Sequence, residues 1–105
     1  MGCGCGEKPG TRVMTENELK HEVLRHARLN GWAVYHVPQA NMKNGGGKGY
    51  PDLTLARDRE VLWIELKQDT GEQSAEQYMW SMALPAYHLI RPKDWRSGRV
   101  HELLS

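Results

Sequence analysis

The sequence predicts an α/β fold in which helices flank one mixed β-sheet. A capping-box pattern introduces a long helical stretch near the N-terminus. Two segments of strand composition then follow each other across a two-residue connection, and a second helical stretch leads into a last strand. The predicted order of helix, three strands, helix and strand is typical of one sheet covered by helices. A chain of 105 residues is the size of one domain.

The first helix is predicted to begin after Thr15. Thr15 and Glu18 form a capping box, in which each side chain binds a backbone N–H group that the helix leaves unpaired. The helix should run to Asn30 and stop at Gly31. On a helical wheel Glu16 falls near the middle of the apolar stripe, so we expect it to face inward. That stripe contains Leu19, Val23, Leu24 and Ala27.

Three strands are predicted between the first and second helices. Residues 32–37 (WAVYHV) have strand composition, and a glycine-rich loop follows over residues 39–49. Residues 52–57 (DLTLAR) and 61–67 (VLWIELK) are both predicted strands. Because only a short connection at 58–59 separates them, we expect these two strands to pair as an antiparallel hairpin.

The second helix is predicted to begin after Ser74. Ser74 and Gln77 form its capping box, and Pro85 closes the helix. Residues 86–90 then return as a fourth strand, and residues 94–104 form a basic turn with a short last helix. The apolar face of the second helix is predicted to include Met79, Met82 and Ala83.

The charge of the chain is nearly balanced overall but not locally. The formal net charge is only +1, which by itself argues mildly against a nucleic-acid partner. Basic residues are nevertheless concentrated in the segments 43–48 and 91–99. These segments are candidates for a phosphate-facing patch, and an ordinary solvated surface is the alternative for each.

The remaining composition indicates an intracellular protein. Residues 1–13 have the composition of a flexible tail, and its Cys3 and Cys5 are interpreted as reduced thiols because two cysteines cannot complete a zinc site. No run of eighteen apolar residues predicts a membrane span. No apolar stretch of signal-peptide length is found at the N-terminus, so a cytoplasmic location is expected.

Acidic and basic side chains are predicted to meet on one face of the third strand. Side chains alternate along a strand, so Glu65 and Lys67 share a face, and hairpin pairing brings Asp52 close to Glu65. Two neighbouring carboxylates can bind Mg²⁺, which activates water and stabilises charge on a phosphate. Lys67 would orient that water and contact the phosphate. The acid-x-lysine pattern alone is weak, and a structural salt bridge is the alternative.

The motifs together resemble a known nuclease family. GYPDLTLA, then VLWIELK, then Gln77 ten residues beyond Lys67, resemble the VRR-NUC family of the PD-(D/E)XK nuclease superfamily. The likeness runs from Thr15 to Leu104 and includes TENEL, GWAVYHV and RPKDW. It implies a restriction-endonuclease-like core, with a central mixed β-sheet flanked by helices, in one nuclease domain over residues 14–105.

The resemblance also implies a metal site. Asp52 and Glu65 would bind Mg²⁺ or Mn²⁺ together with the backbone carbonyl of Leu66. The acid that the family carries on its first helix would correspond to Glu16, as a further ligand. This is the acid that the helical wheel turns inward.

Two further residues receive catalytic roles from the resemblance. Lys67 would be the catalytic lysine. Gln77 would be the glutamine that the family places on a helix near the catalytic strand, and it is also the predicted cap of the second helix.

The resemblance implies a metal-dependent DNA endonuclease that hydrolyses phosphodiester bonds. Stand-alone, phage-type members of the family resemble structure-selective nucleases that act on branched or junction DNA in replication, repair or recombination. The expected host is a bacterial or phage-infected cell, and the expected assembly is a homodimer or higher homo-oligomer. Trp80 and Met79 are candidates for its interface, and core packing is the alternative for both.

One alternative function is compatible with the sequence, and several residues are candidate DNA contacts. The glycines at 45–47 and 49 do not form a nucleotide-binding loop, because Lys48 is followed by Gly49 and a strand rather than by Ser or Thr and a helix. A non-catalytic DNA-binding module is the alternative to a nuclease. The candidate DNA contacts are Lys43, Lys48, His36, Arg91 and Lys93.

Overall fold

The computed structural model describes residues 14–36 and 48–105. The predicted tail at 1–13, with Cys3 and Cys5, lies outside the described residues, as do Val37, Lys43 and most of the glycine-rich loop. The described elements are α1 (Glu16–Leu29), β1 (Ala33–His36), β2 (Leu53–Arg57), β3 (Glu60–Leu66), α2 (Ala75–Ala83), β4 (Tyr87–Ile90), α3 (Pro92–Arg96) and α4 (Arg99–Leu104).

The four strands form one mixed sheet in the order β1-β2-β3-β4. The pairs β1–β2 and β2–β3 are antiparallel, whereas β4 runs parallel to β3. The parallel connection requires a crossover, and α2 lies within it. The predicted α/β class with a mixed sheet flanked by helices is therefore confirmed.

The predicted hairpin of β2 and β3 closes on a two-residue turn. Asp58 and Arg59 both have positive φ angles, at 51° and 69°. Positive φ at both central residues is the geometry that matches the twist of a hairpin. This turn fixes the register, in which Leu53 lies opposite Ile64.

The two faces of β3 differ as the alternation predicts. Leu62, Ile64 and Leu66 are buried in the hydrophobic core, where α1, α3 and α4 cover the sheet. The first helix presents the apolar stripe to this core, with Leu19, Val23 and Ala27 fully buried. Its capping box and its stop at Gly31, which has a φ of 84°, are as predicted.

The second helix differs from the prediction in the face that it buries. The Ser74–Gln77 capping box is present, but α2 contains no fully buried residue. Met79 and Met82 are exposed over 63% and 71% of their surface, so they do not form an apolar face against the core. The helix instead packs on the sheet face that carries Glu65, through Gln77 and the partly buried Trp80.

The C-terminal region forms two short helices where a basic turn and one helix were predicted. Its last turn closes the core, because the Trp32 indole donates a hydrogen bond of 2.9 Å to the carbonyl of Leu104. None of the helices in residues 14–36 and 48–105 is both long enough and apolar enough to span a bilayer.

Candidate active site

Asp52 and Glu65 are neighbours because of the hairpin register. Asp52 directly precedes β2, and Leu53 lies opposite Ile64, so the next position along β3 is Glu65. The backbone N–H of Leu66 donates a hydrogen bond of 2.8 Å to Asp52 Oδ2. This bond holds the Asp52 carboxyl at the end of β3, beside Glu65.

Glu65 is the buried member of this pair. Only 3% of its surface is exposed, and it is the one charged residue in the core of the described chain. Its Oε2 accepts a 2.9 Å hydrogen bond from Gln77 Nε2, whereas its Oε1 is buried with no hydrogen-bond donor among the described residues. A buried oxygen without a donor is costly unless a proton or a cation satisfies it.

The pKa of Glu65 is raised from 4.5 to about 8, first by burial and then by the negative charge of Asp52. The two carboxyls are within hydrogen-bonding range, and this contact also raises the pKa because only a protonated carboxyl can donate to the other. The positive charge of Lys67 acts in the opposite direction but is the weaker effect. At neutral pH the pair therefore retains a proton unless a cation replaces it.

Gln77 performs both of the roles considered for it. Its Oε1 accepts a 2.8 Å hydrogen bond from the backbone N–H of Ser74, which caps α2. Its Nε2 donates to Glu65, which fixes the orientation of the buried carboxyl. One amide therefore joins the start of α2 to the acidic pair.

Lys67 lies half-buried just beyond β3, on the same face as Glu65. Its backbone N–H donates a 3.1 Å hydrogen bond to the carbonyl of Ile90 on β4, which continues the parallel pairing past the end of β3. Its charge acts on the carboxyls of both Glu65 and Glu16. The structure thus brings together the three residues that the sequence selected for chemistry.

Glu16 lies at the rim of the site and not in the core. The helical wheel predicted an inward-facing acid, but Glu16 is exposed, because the buried stripe begins one turn later at Leu19. Glu16 does line a cavity of about 250 Å³ together with Asn17, Lys20, Asp52 and Leu66. Its pKa is raised by burial and then by the charge of Asp52, so the two acids share one electrostatic environment.

Tyr87 is a neighbour of the site that the sequence did not indicate. It pairs with Trp63 across β3 and β4, two positions before Glu65 on the same face. Burial and then the negative charge of Glu65 raise the pKa of its phenol to about 12. Its hydroxyl accepts a 2.7 Å hydrogen bond from Gln73 Nε2. Only the parallel register of β4 reveals this proximity.

The backbone at Gly49 holds α2 against the site. Gly49 has a φ of 81°, and a Cβ atom there would lie 2.5 Å from the Cβ of Glu76 and 2.8 Å from the backbone nitrogen of Gln77. The neighbouring Tyr50 ring packs edge-on to the Trp80 ring, with 5.0 Å between the two ring centroids. Glycine is therefore required at position 49 for two separate reasons, its positive φ and this close approach.

The candidate DNA contacts near the sheet are exposed or lie outside the described chain. His36 is exposed at the end of β1, opposite Leu53. Lys48 is exposed, with its ammonium group 3.8 Å from the Glu76 carboxylate. Lys43 lies outside the described residues.

Of the two candidate DNA contacts in the C-terminal segment, the Arg91 side chain binds local backbone and the Lys93 side chain is exposed. The Arg91 guanidinium donates hydrogen bonds to the carbonyls of Gln68, Asp69 and Gly71, at 2.6, 3.3 and 2.7 Å. It thereby secures the loop that follows Lys67. The Lys93 side chain is exposed, and its backbone N–H donates to Asp69.

The donor set fits a hard divalent cation. The fit rests on the buried Glu65 oxygen that has no donor, next to a second carboxyl and the main chain of Leu66. Mg²⁺ needs only one or two carboxylates because it keeps several waters. Within residues 14–36 and 48–105, no three His, Cys, Asp or Glu side chains are grouped so that they could hold a metal ion together, so Glu16 does not join Asp52 and Glu65 as the predicted further ligand.

Comparison with models of known families, with curated proteins and with solved structures finds no match to this chain. The chemical interpretation of the site therefore rests on its own geometry.

Proposed function

We propose that this protein is a metal-dependent DNA endonuclease of the PD-(D/E)XK type, similar to the VRR-NUC family, with a restriction-endonuclease-like core. The observation that carries the proposal is the buried Glu65 carboxyl with one unpartnered oxygen, next to Asp52 and on the same face as Lys67. Strongly perturbed acids of this kind concentrate at functional sites.

A structural salt bridge explains the same residues less well. A stabilising ion pair would place a cation against the buried carboxylate, and the salt bridges of the described chain do not include Glu65. Glu65 instead lies next to another acid and accepts a bond from a neutral amide. This arrangement costs folding free energy, so a function other than stability explains it better.

Each residue then has a task. Asp52, Glu65 and the Leu66 carbonyl would hold Mg²⁺ or Mn²⁺, with Glu16 at the rim of the cavity. The metal would supply an acidified water and charge stabilisation on the phosphate. Lys67 would donate to the scissile phosphate or orient the attacking water, and Gln77 would keep the Glu65 carboxyl aligned.

The proposed substrate is branched or junction DNA, cleaved by a homodimer or higher homo-oligomer. The exposed apolar side chains of α2 support an assembly through that helix, because Tyr78, Met79 and Met82 are each exposed over more than half of their surface. Apolar side chains clustered in this way often mark a contact surface. A protein that sediments as a monomer at all concentrations would contradict this part of the proposal.

The test of the proposed activity uses labelled four-way junction, flap and linear duplex DNA, with Mg²⁺, with Mn²⁺ and with a chelator. Glu65→Gln and Lys67→Ala should abolish cleavage, whereas Glu72→Gln is the matched control because Glu72 is exposed outside the site. Cutting that survives in both site variants would refute the proposal. Binding without any cutting by the unmodified protein would favour the non-catalytic DNA-binding module.

A further inference from the structure

A row of three cavities lies along the exposed surface of α1, starting at the candidate active site, and we call this row the α1 furrow. The cavity that contains Asp52 is also lined by Asn17, which lines a second cavity of about 320 Å³. His21 and Glu22 line this second cavity and also a third one of about 660 Å³. Neighbouring cavities therefore adjoin the same side chains, and the row follows α1 from Glu16 to Leu29.

The helical repeat of the sequence produces this furrow. Asn17, His21, Leu24 and Arg28 follow one another at spacings of four, three and four residues, which places them on one side of a helix. At a rise of 1.5 Å per residue, this stripe is roughly 16 Å long. It adjoins the buried stripe of α1 but faces solvent, and exposed His36 on β1 forms part of the opposite wall.

The charge of the furrow changes along its length. It begins at the acidic cluster and reaches Arg25 and Arg28 at its far end. Glu22 is the acid in that part, and it is ion-paired with Arg25 at 2.8 Å. The Arg28 guanidinium is exposed and makes no hydrogen bond or ion pair within the described ranges. Arg28 therefore remains available to bind an anion.

An acidic active site requires cationic groups nearby if its substrate is a polyanion. Asp52, Glu65 and Glu16 repel phosphates in the absence of a cation, so the binding free energy must come from groups outside the cluster. The basic C-terminal segment is a poorer source, since Arg96 is paired with Asp69 and Arg99 with Asp94, both at 3.1 Å.

We propose that the α1 furrow binds the phosphate backbone of the DNA strand that extends from the scissile phosphate, and that Arg28 anchors its far end. The inference rests on the proposed nuclease function and adds the path of the substrate. A furrow of roughly 16 Å is long enough to follow the strand past more than one phosphate. His21 and His36 line the same path.

The experiment measures binding of a labelled linear duplex by fluorescence anisotropy, in chelator and over a series of salt concentrations. Loss of one phosphate contact should weaken binding roughly five- to tenfold at about 0.1 M salt and lower the slope of log K against log[salt] by about 1. We expect this result for Arg28→Gln.

Arg59→Gln is the matched control, because it removes the same charge from another exposed arginine. Arg59 lies in the hairpin turn, at the end of β2 remote from Asp52, and does not line the furrow. Its affinity and salt slope should equal those of the unmodified protein.

Glu22→Gln should have the opposite effect. It removes the acid of the far part of the furrow and releases Arg25 from its ion pair, so binding should tighten and the salt slope should steepen. A loss of folding cannot produce a gain in affinity. Equal effects of Arg28→Gln and Arg59→Gln, unchanged binding in Glu22→Gln, or no binding by the unmodified protein would each overturn the inference.

These measurements separate the furrow from the nuclease activity. Binding is measured in chelator, where no metal-dependent cleavage occurs. Persistent cleavage by Lys67→Ala would refute the catalytic assignment, whereas the anisotropy series would still decide whether DNA follows α1.

Discussion

Replacing Glu65 with glutamine should stabilise the fold while it abolishes catalysis. Glutamine has nearly the same shape, and its carbonyl oxygen can still accept the hydrogen bond from Gln77. Its amide N–H₂ can donate to Asp52, where the glutamate pair has no donor unless it is protonated. Glu65→Gln therefore keeps the packing and removes the cost of a buried acid.

The size of the effect follows from the pKa of Glu65, which is about 8 in the fold against 4.5 for an unperturbed side chain. Between these pH values the folded protein binds the proton more tightly than the unfolded chain does, so its stability falls as pH rises. The stabilisation that comes from this bound proton is fully present below pH 4.5 and is lost progressively as the pH rises to about 8. At about 1.4 kcal/mol per pH unit, the loss by pH 7 is about 3 kcal/mol.

Urea denaturation in chelator, at several pH values, measures this difference. The free energy of unfolding of Glu65→Gln should exceed that of the unmodified protein by about 3 kcal/mol at pH 7, and the gain should shrink towards zero near pH 4. Glu72→Gln, at an exposed position, should show neither effect. A Glu65→Gln protein that is less stable at pH 7, or whose gain does not depend on pH, would refute the reasoning.

Three further predictions concern other positions in the fold. Gly49→Ala should lower the melting temperature and the cleavage rate more than Gly98→Ala, because both glycines have positive φ but only at Gly49 would the new methyl collide with α2; melting curves and cleavage assays of both variants test this. Arg91→Lys should lower the free energy of unfolding in urea by about 1–3 kcal/mol, since an ammonium group cannot reproduce the guanidinium's bonds to three carbonyls; equal stability would contradict this. Burial and then the charge of His101 lower the pKa of His26, so the fold should lose stability as pH falls below about 6.5, and melting curves at pH 7.5 and 5 should show a smaller loss in His26→Gln.

Local patterns in the sequence were sufficient to predict the acidic pair. The hairpin and the alternation along β3 fix the positions of Asp52 and Glu65 from a stretch of fewer than twenty residues. The capping box of α2 likewise predicted Gln77 at the helix start, and its amide proved able to cap the helix and to bind Glu65.

Long-range packing limited the other predictions. The apolar pattern of Met79 and Met82 does not reveal whether other parts of the chain cover these side chains. In the structure both side chains are exposed. Tyr87 approaches Glu65 only because β4 joins the sheet in parallel, and no pattern of nearby residues determines which edge a returning strand takes. The wheel placed Glu16 on the side of α1 that faces Asp52, as the shared cavity shows, but Glu16 is exposed because a wheel gives a direction around the helix axis and not the height at which the core begins.

The order of β2, β3 and α2 along the chain also has a consequence for folding kinetics. The hairpin that joins Asp52 to Glu65 involves only neighbouring segments, and such hairpins form within about 1–10 μs. Gln77 lies on α2, which must cross over the sheet before the Gln77 amide can reach Glu65. The strand β4, which pairs with β3, follows α2 in the sequence. We expect this hairpin to close before Gln77 arrives, so the repulsion between the two carboxylates should slow its closing. Refolding should accordingly be fastest in mildly acidic solution, where a shared proton removes that repulsion as the hairpin closes.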